Sequence, residues 1–236
     1  MKNFLSIVVL FLITLSLSCS GDIAEPPDLS IQATEDSVAI VNYIHDLGLS
    51  DLDSVLASGV HFIVLDSGQK VDDGAVDTLS IDESDIVDVD YIGKLLTDTI
   101  FDTSIRGVAD SIRLAVEANI TPGDTLDVEY AVDTAFHEDK NYAPFEVVYT
   151  STGWTINGFI EGFSEGLTAS LGQLSVGGSA LIVIPSALAY GVTGNVPTIF
   201  KIGVDESGED EFALYQFIEP NKVIAFEIRI ASLRKQ

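Results

Sequence analysis

Three histidines, one cysteine and scattered carboxylates are the side chains with which this chain could run acid–base, nucleophilic or metal chemistry. Their spacing supports none of these. His45, His61 and His137 lie far apart, and neither HExxH nor a cysteine pair accompanies them, so a zinc site has no basis. Asp72-Asp73-Gly74 lacks the alternating carboxylates and distal glutamate of a calcium loop and reads as an acidic turn. Phosphate-cradling glycine loops and the Gly-x-Ser-x-Gly elbow are also missing, so no metal or cofactor is expected. What remains is an aromatic and aliphatic set. It runs Tyr91-Ile92-Gly93, Phe101-Asp102-Thr103-Ser104, Pro144-Phe145, Phe159-Ile160-Glu161-Gly162-Phe163, Ile184-Pro185, Ala189-Tyr190-Gly191 and Glu219-Pro220-Asn221, and ends at Phe226. Such residues grip apolar rings and exclude water. They do not transfer protons.

The elements that must position this set read mostly as strands. Val60–Leu65 is closed by Asp66-Ser67-Gly68, and Ile86–Gly93 alternates apolar and polar residues with the period of a half-buried strand. Further strands are expected at Thr125–Val132, Phe145–Tyr149, Ala180–Ile184, Phe212–Ile218 and Val223–Ile230, with a short helix over Ser164–Leu171. Without a βαβ rhythm this pattern predicts an α+β fold, an antiparallel sheet with a helix on one face. An N-terminal helix starts at Thr34 as N-cap, with Glu35 and Asp36 at the positive end of its dipole. Ile40, Val41, Ile44 and Leu47 share one face, and Gly48 is the stop. His45 falls on the polar side of this helix and reads as a solvated side chain.

The N-terminus carries its own signal. Lys2 precedes an apolar run, Phe4–Leu17, which is too short to span a bilayer and suits the core of a signal peptide. Ser18 then precedes Cys19, the only cysteine, as in a lipobox, although Ser16 stands where an aliphatic residue is usual. Lipidation of Cys19 explains a lone cysteine in an exported chain; a plain secretory signal with an incidental cysteine is the alternative. Residues 1–18 are thus read as signal peptide, 19–33 as a lipid-anchored tether containing Pro26-Pro27, 34–84 as the N-terminal helix and leading strand, and 85–236 as the main domain. The expected location is the cell envelope, on a membrane facing the periplasm or cell surface. With 37 acidic against 11 basic residues the net charge is −26, which repels phosphate backbones and excludes nucleic acid as a partner.

The ordered series Tyr-x-Gly, Phe-Asp, Ile160-x-Gly162-Phe163, Ile-Pro, Ala-Tyr-Gly and Pro-Asn before a final strand resembles the FKBP-type peptidyl-prolyl cis/trans isomerases, in the order of that family, over residues 85–233. The resemblance implies an FKBP-like twisted antiparallel β-sheet wrapped around the short helix near Ser164, with a shallow pocket between them. It also implies roles by position. Tyr91, Phe101, Asp102, Tyr190 and Phe226 would be catalytic, and Phe145, Phe159, Ile160, Phe163 and Ile218 would contact substrate. Phe163 stands where the family usually has tryptophan. The Ile160 N–H and the Tyr190 hydroxyl match groups that bind ligand carbonyls. Taken alone, Phe145 and Phe159 read as core rather than site, and Asp102 could equally be a turn cap.

The partners implied are proline-containing segments of unfolded or exported proteins. Rotating an X–Pro amide faces a barrier of about 18–20 kcal/mol, and a pocket that desolvates the amide and favours its twisted form lowers it without acid, base or nucleophile. Three departures stand beside the resemblance. Residues 105–142 insert a segment with an expected helix at Val108–Asn119, and residues 192–217 lengthen the loop after Ala-Tyr-Gly, with a charged tip at 203–211. The arginine that commonly partners the pocket aspartate has no match in step, Arg106 being the nearest candidate. These leave a second expectation open: a non-catalytic chaperone or protein-binding lipoprotein that uses the pocket and the long loop.

Overall fold

The computed structural model describes residues 29–68, 81, 84–119, 136, 140–150, 153–155, 160–195, 198–204, 210–215 and 218–235. The chain divides into units 1–31 and 32–236; of the first, only residues 29–31 are described. Cys19, Phe159, His137 and the strand expected at Thr125–Val132 lie outside the described residues.

In chain order the elements are α1 (Leu29–Asp46), β1 (Asp53–Val55), β2 (His61–Asp66), β3 (Ile86–Leu95), β4 (Ile100–Thr103), α2 (Arg106–Asn119), β5 (Phe145–Thr150), β6 (Gly153–Thr155), α3 (Glu161–Leu171), β7 (Ser179–Ile184), β8 (Thr198–Val204), β9 (Asp210–Tyr215) and β10 (Ile224–Arg234). Seven strands form a sheet in the order β1-β2-β7-β10-β3-β5-β6, with β4 also paired to β3. All the pairings are antiparallel. The α+β class and the antiparallel sheet follow the sequence pattern. Strands β8 and β9 form a separate hairpin within the 192–217 insertion.

Helices cover both faces of the sheet, where one was expected. The reason is visible in β7. Ala180, Ile182 and Ile184 point into the larger core with Phe163, Leu167 and Leu171 of α3. Leu181 and Val183 point the other way, into a second core with Ile40 and Ile44 of α1. A strand buried on both faces needs an unbroken apolar run, which is what Ala180–Ile184 supplies. Helix α3 comes close to the sheet because Gly162 and Gly166 face it. A Cβ at either would stand 2.3 Å from Ile184 or Ile182. The helix accordingly begins at Glu161, ahead of the expected Ser164, with Ile160 as its extended N-cap.

Helix α1 also begins earlier than predicted. It starts at Leu29, so residues 29–33, read as tether, are helical, and Thr34 is not the N-cap. Nothing after Pro27 breaks a helix, and Gln32 gains a 2.7 Å bond to Asp36 one turn on. Its buried face is Asp36, Ile40 and Ile44, while Val41 and Leu47 are exposed. Asp36 is no dipole partner. Its carboxylate is buried and accepts bonds from the Ser186 N–H and hydroxyl at 2.8 and 2.7 Å, which pins α1 to the turn after Pro185. Gly48 ends the helix as predicted, with φ +71° and its N–H on the His45 carbonyl. His45 is solvated.

Helix α2 lies within the first insertion and builds a small satellite core, Ala109 with Phe136, Ile100, Ile112 and Tyr142. The strand expected over Phe212–Ile218 ends at Tyr215. Ile218 instead exchanges bonds with Asn195, whose side chain accepts its N–H and whose N–H reaches its carbonyl.

Candidate functional site

Strand β3 changes partner part-way along one edge. Ile86–Val89 pair with β5, whereas Ile92–Lys94 pair with β4. Tyr91 stands at the change. Its N–H bonds the Ser104 hydroxyl at 2.9 Å, and its carbonyl accepts from the Ser104 N–H and the Thr103 hydroxyl. This stitching aims the Tyr91 ring over the sheet, towards five other rings.

Those rings come from five other places in the fold. Phe226 of β10 lies 4.5 Å from Phe163 of α3, 5.7 Å from Phe101 of β4 and 6.0 Å from Tyr91. Phe145 of β5 closes one side, 5.8 Å from Tyr91 and 5.9 Å from Phe163. Tyr190, after the 3-10 turn Ser186–Leu188, meets Phe101 edge-on at 6.4 Å. Tilted and edge-to-face contacts at these distances are the favourable aromatic geometries. Tyr91, Phe145, Ile160 and Tyr190 are half-buried and line the accessible side. Phe163 and Ile218, expected as substrate contacts, are 0% and 1% exposed. They form the buried layer behind the wall.

Asp102 is held on three sides. The Tyr91 hydroxyl donates to Oδ2 at 2.8 Å, and Lys140 Nζ and the Thr103 N–H donate to Oδ1 at 2.7 and 2.8 Å. The cation missing from the sequence pattern is therefore Lys140. Arg106 donates instead to the Lys140 carbonyl and lies over the Tyr142 ring. The Thr103 contact is a local bond between neighbouring residues of β4. No local signal could have found Lys140, which stands 38 residues from its partner.

At the other end, the Ile160 carbonyl accepts the Ser164 N–H and hydroxyl at the start of α3. Its N–H and the Tyr190 hydroxyl make no hydrogen bond among the described residues. Both therefore remain open to an incoming acceptor. A separate polar concavity between Asp66, Asp90, Gly177 and Arg229 contains none of the aromatic residues.

Burial, and then the negative charge of Asp102, push the Tyr91 and Tyr190 phenols above the usual tyrosine range; for Tyr91 the bond it donates to Asp102 adds to this. Both stay protonated donors throughout neutral pH. Because the folded values are raised, the stabilisation is fully present below the unfolded value of about 10 and is lost as pH rises above it. Chemical denaturation of the wild type should show stability falling above about pH 10. Tyr91→Phe should reduce that fall, and a slope unchanged in Tyr91→Phe would refute the assignment.

Residues 116–231 match the family model of FKBP-type peptidyl-prolyl cis-trans isomerases. This span carries the FKBP-type peptidyl-prolyl cis-trans isomerase domain. Phe145, Ile160, Phe163, Tyr190, Ile218 and Phe226 fall within the matched span; Tyr91, Phe101 and Asp102 precede it and join the site through the contacts above. No curated protein sequence matches the chain. Similar solved structures include FkpA from Escherichia coli, at 18% identity and TM-score 0.41, covering 87% of this chain and 62% of that one. A peptidyl-prolyl cis-trans isomerase from Pseudomonas syringae pv. tomato has 17% identity and TM-score 0.41, covering 86% and 96%. AtFKBP13 has 19% identity and TM-score 0.41, covering 76% and 97%. The chain thus spans less than two thirds of the length of FkpA.

Proposed function

We propose that this protein catalyses cis/trans isomerisation of X–Pro bonds in exported proteins, at a membrane of the cell envelope to which a lipid on Cys19 tethers it. The observation that carries the catalytic half is the Tyr91–Asp102 pair, 2.8 Å apart, beside the Phe101–Phe226 wall. In this reading the proline ring packs against Phe101, Phe226 and Tyr91, with Phe145 at the rim. The Tyr190 hydroxyl and the Ile160 N–H take substrate carbonyls, and Asp102 orients the peptide. Expelling water around the amide favours its twisted form, in which resonance is lost and charge is reduced. Proton transfer plays no part.

A proline-isomerisation assay on the purified protein tests this. Tyr190→Phe should lower kcat/KM by about two- to tenfold, the worth of one hydrogen bond. Asp102→Asn should fold normally and reduce activity without abolishing it. Complete inactivation by Asp102→Asn in a folded protein would mean that the carboxylate does chemistry absent from this scheme. A wild type that binds proline peptides yet gives no rate enhancement would instead favour a chaperone that captures clients with the β8–β9 hairpin.

The envelope half rests on the Phe4–Leu17 run ending at Ser18-Cys19. Stable anchoring by lipid needs more than one acyl chain, which a lipidated N-terminal cysteine carries. Cys19→Ala should move the protein from the membrane pellet to the soluble fraction. Retention in the pellet would rule out lipidation as the anchor.

A further inference from the structure

The partner of Asp102 comes from outside the sheet. Lys140 Nζ stands 2.7 Å from Asp102 Oδ1, at the exit of the 105–142 insertion. Three contacts fix that exit. Arg106, at the start of α2, donates to the Lys140 carbonyl at 3.3 Å, and its guanidinium lies 5.1 Å from the centre of the Tyr142 ring. Lys140 Nζ lies 5.5 Å from the same ring. Tyr142 in turn packs on Ala109 of α2 and on Phe136, so α2 braces the residue that delivers the ammonium.

We infer that Lys140 is a positioning residue of the isomerase site, braced there by Arg106 and Tyr142. The inference rests on the isomerase reading of Asp102 and Tyr91. A carboxylate turns easily about its last bond. With Lys140 and the Thr103 N–H on Oδ1, the other oxygen is left facing the Tyr91 hydroxyl. The bond to the ammonium is charge-assisted, and so stronger and more directional than a neutral one. It also supplies a countercharge beside the pocket in a chain of net charge −26, where an unpaired carboxylate would repel an approaching carbonyl oxygen. Both side chains are 37% exposed, so solvent screens the pair and it adds little to folding. The consequence of losing it belongs to catalysis.

Full-length protein, its Lys140→Met, Lys140→Arg and Asp102→Asn variants, and the Lys140→Met/Asp102→Asn double variant would be assayed with a chromogenic tetrapeptide containing one X–Pro bond. Lys140→Met should lower kcat by about three- to tenfold with KM nearly unchanged, the pattern of an interaction made in the transition state. Its melting temperature should match the wild type, and Lys140→Arg should restore most of the rate. In the Asp102→Asn background, Lys140→Met should have no further effect, because it acts through that carboxylate. Equal losses in both backgrounds, an unchanged kcat in Lys140→Met, or a Lys140→Arg as slow as Lys140→Met would each overturn the inference. An inactive wild type is a separate result: it would refute the isomerase reading itself, and Lys140 would have nothing to position.

Discussion

Phe226→Ala should cost about 3–5 kcal/mol of stability, the range for truncating a buried phenylalanine. Phe226 is 4% exposed, and its β10 position pairs with Gly93 on one side and Ile182 on the other. Its ring is the hub of the cluster, in contact with Tyr91, Phe101 and Phe163. Truncation removes the ring from water-free surroundings and leaves a cavity that Phe163, fully buried behind it, cannot close. For a domain of this size the melting temperature should fall on the order of 10 °C. Denaturant titration should show a lower midpoint at unchanged slope, the signature of lost stability within an intact fold. Phe226→Leu, which keeps most of the volume, should lose far less. A Phe226→Ala cost below about 1 kcal/mol would mean that the rings are not packed as a core, and the wall ascribed to them would fail with it.

The same hub shows why parts of the fold were readable in the sequence and others not. Strand β3 announces itself because buried Val87 and Val89 alternate with the half-buried Ile86, Asp88 and Asp90 at the period of a strand. Strand β7 was readable through its unbroken apolar run, but that run alone did not say that a second helix covers its other face. The start of α1 escaped because a local N-cap signal at Thr34 competes with tertiary contacts it cannot see. Asp36, apparently a first-turn acid, is buried against Ser186, which lies 150 residues away. Lys140 is the same case at the site. Its role depends on a contact with β4 made from 38 residues away, and nothing in the residues near Asp102 encodes it. The aromatic set was readable because order along the chain, with types fixed by packing, survives the insertions. Burial then separates its members, with Phe163 and Ile218 behind the wall and Tyr91, Tyr190 and Ile160 on its accessible side.

Gly93→Ala should damage catalysis far more than stability. Gly93 sits on β3 opposite Asp102 of β4 and Phe226 of β10, at the centre of the site's strands. A Cβ there would stand 2.8 Å from Cε2 and Cζ of Phe101 and 2.8 Å from Cε1 of Phe226. Two rings of the wall must therefore move to admit one methyl group. Phe163 blocks retreat on the inner side, so the displacement is directed towards Tyr190 and the accessible face. Overpacking of this kind costs about 1–3 kcal/mol, which leaves a domain folded. A shift of about 1 Å in groups that hold a substrate can lower kcat/KM by up to 100-fold. The variant should thus keep a native far-UV spectrum and a cooperative melt while losing about 10- to 100-fold in isomerisation. Gly107→Ala is the control, since a Cβ on that α2 residue would meet nothing within 4 Å. It should keep full activity and gain up to about 1 kcal/mol from helix propensity. If Gly93→Ala folds and retains the wild-type rate, the Phe101 and Phe226 rings do not bear on the substrate, and the catalytic surface must lie elsewhere on the domain.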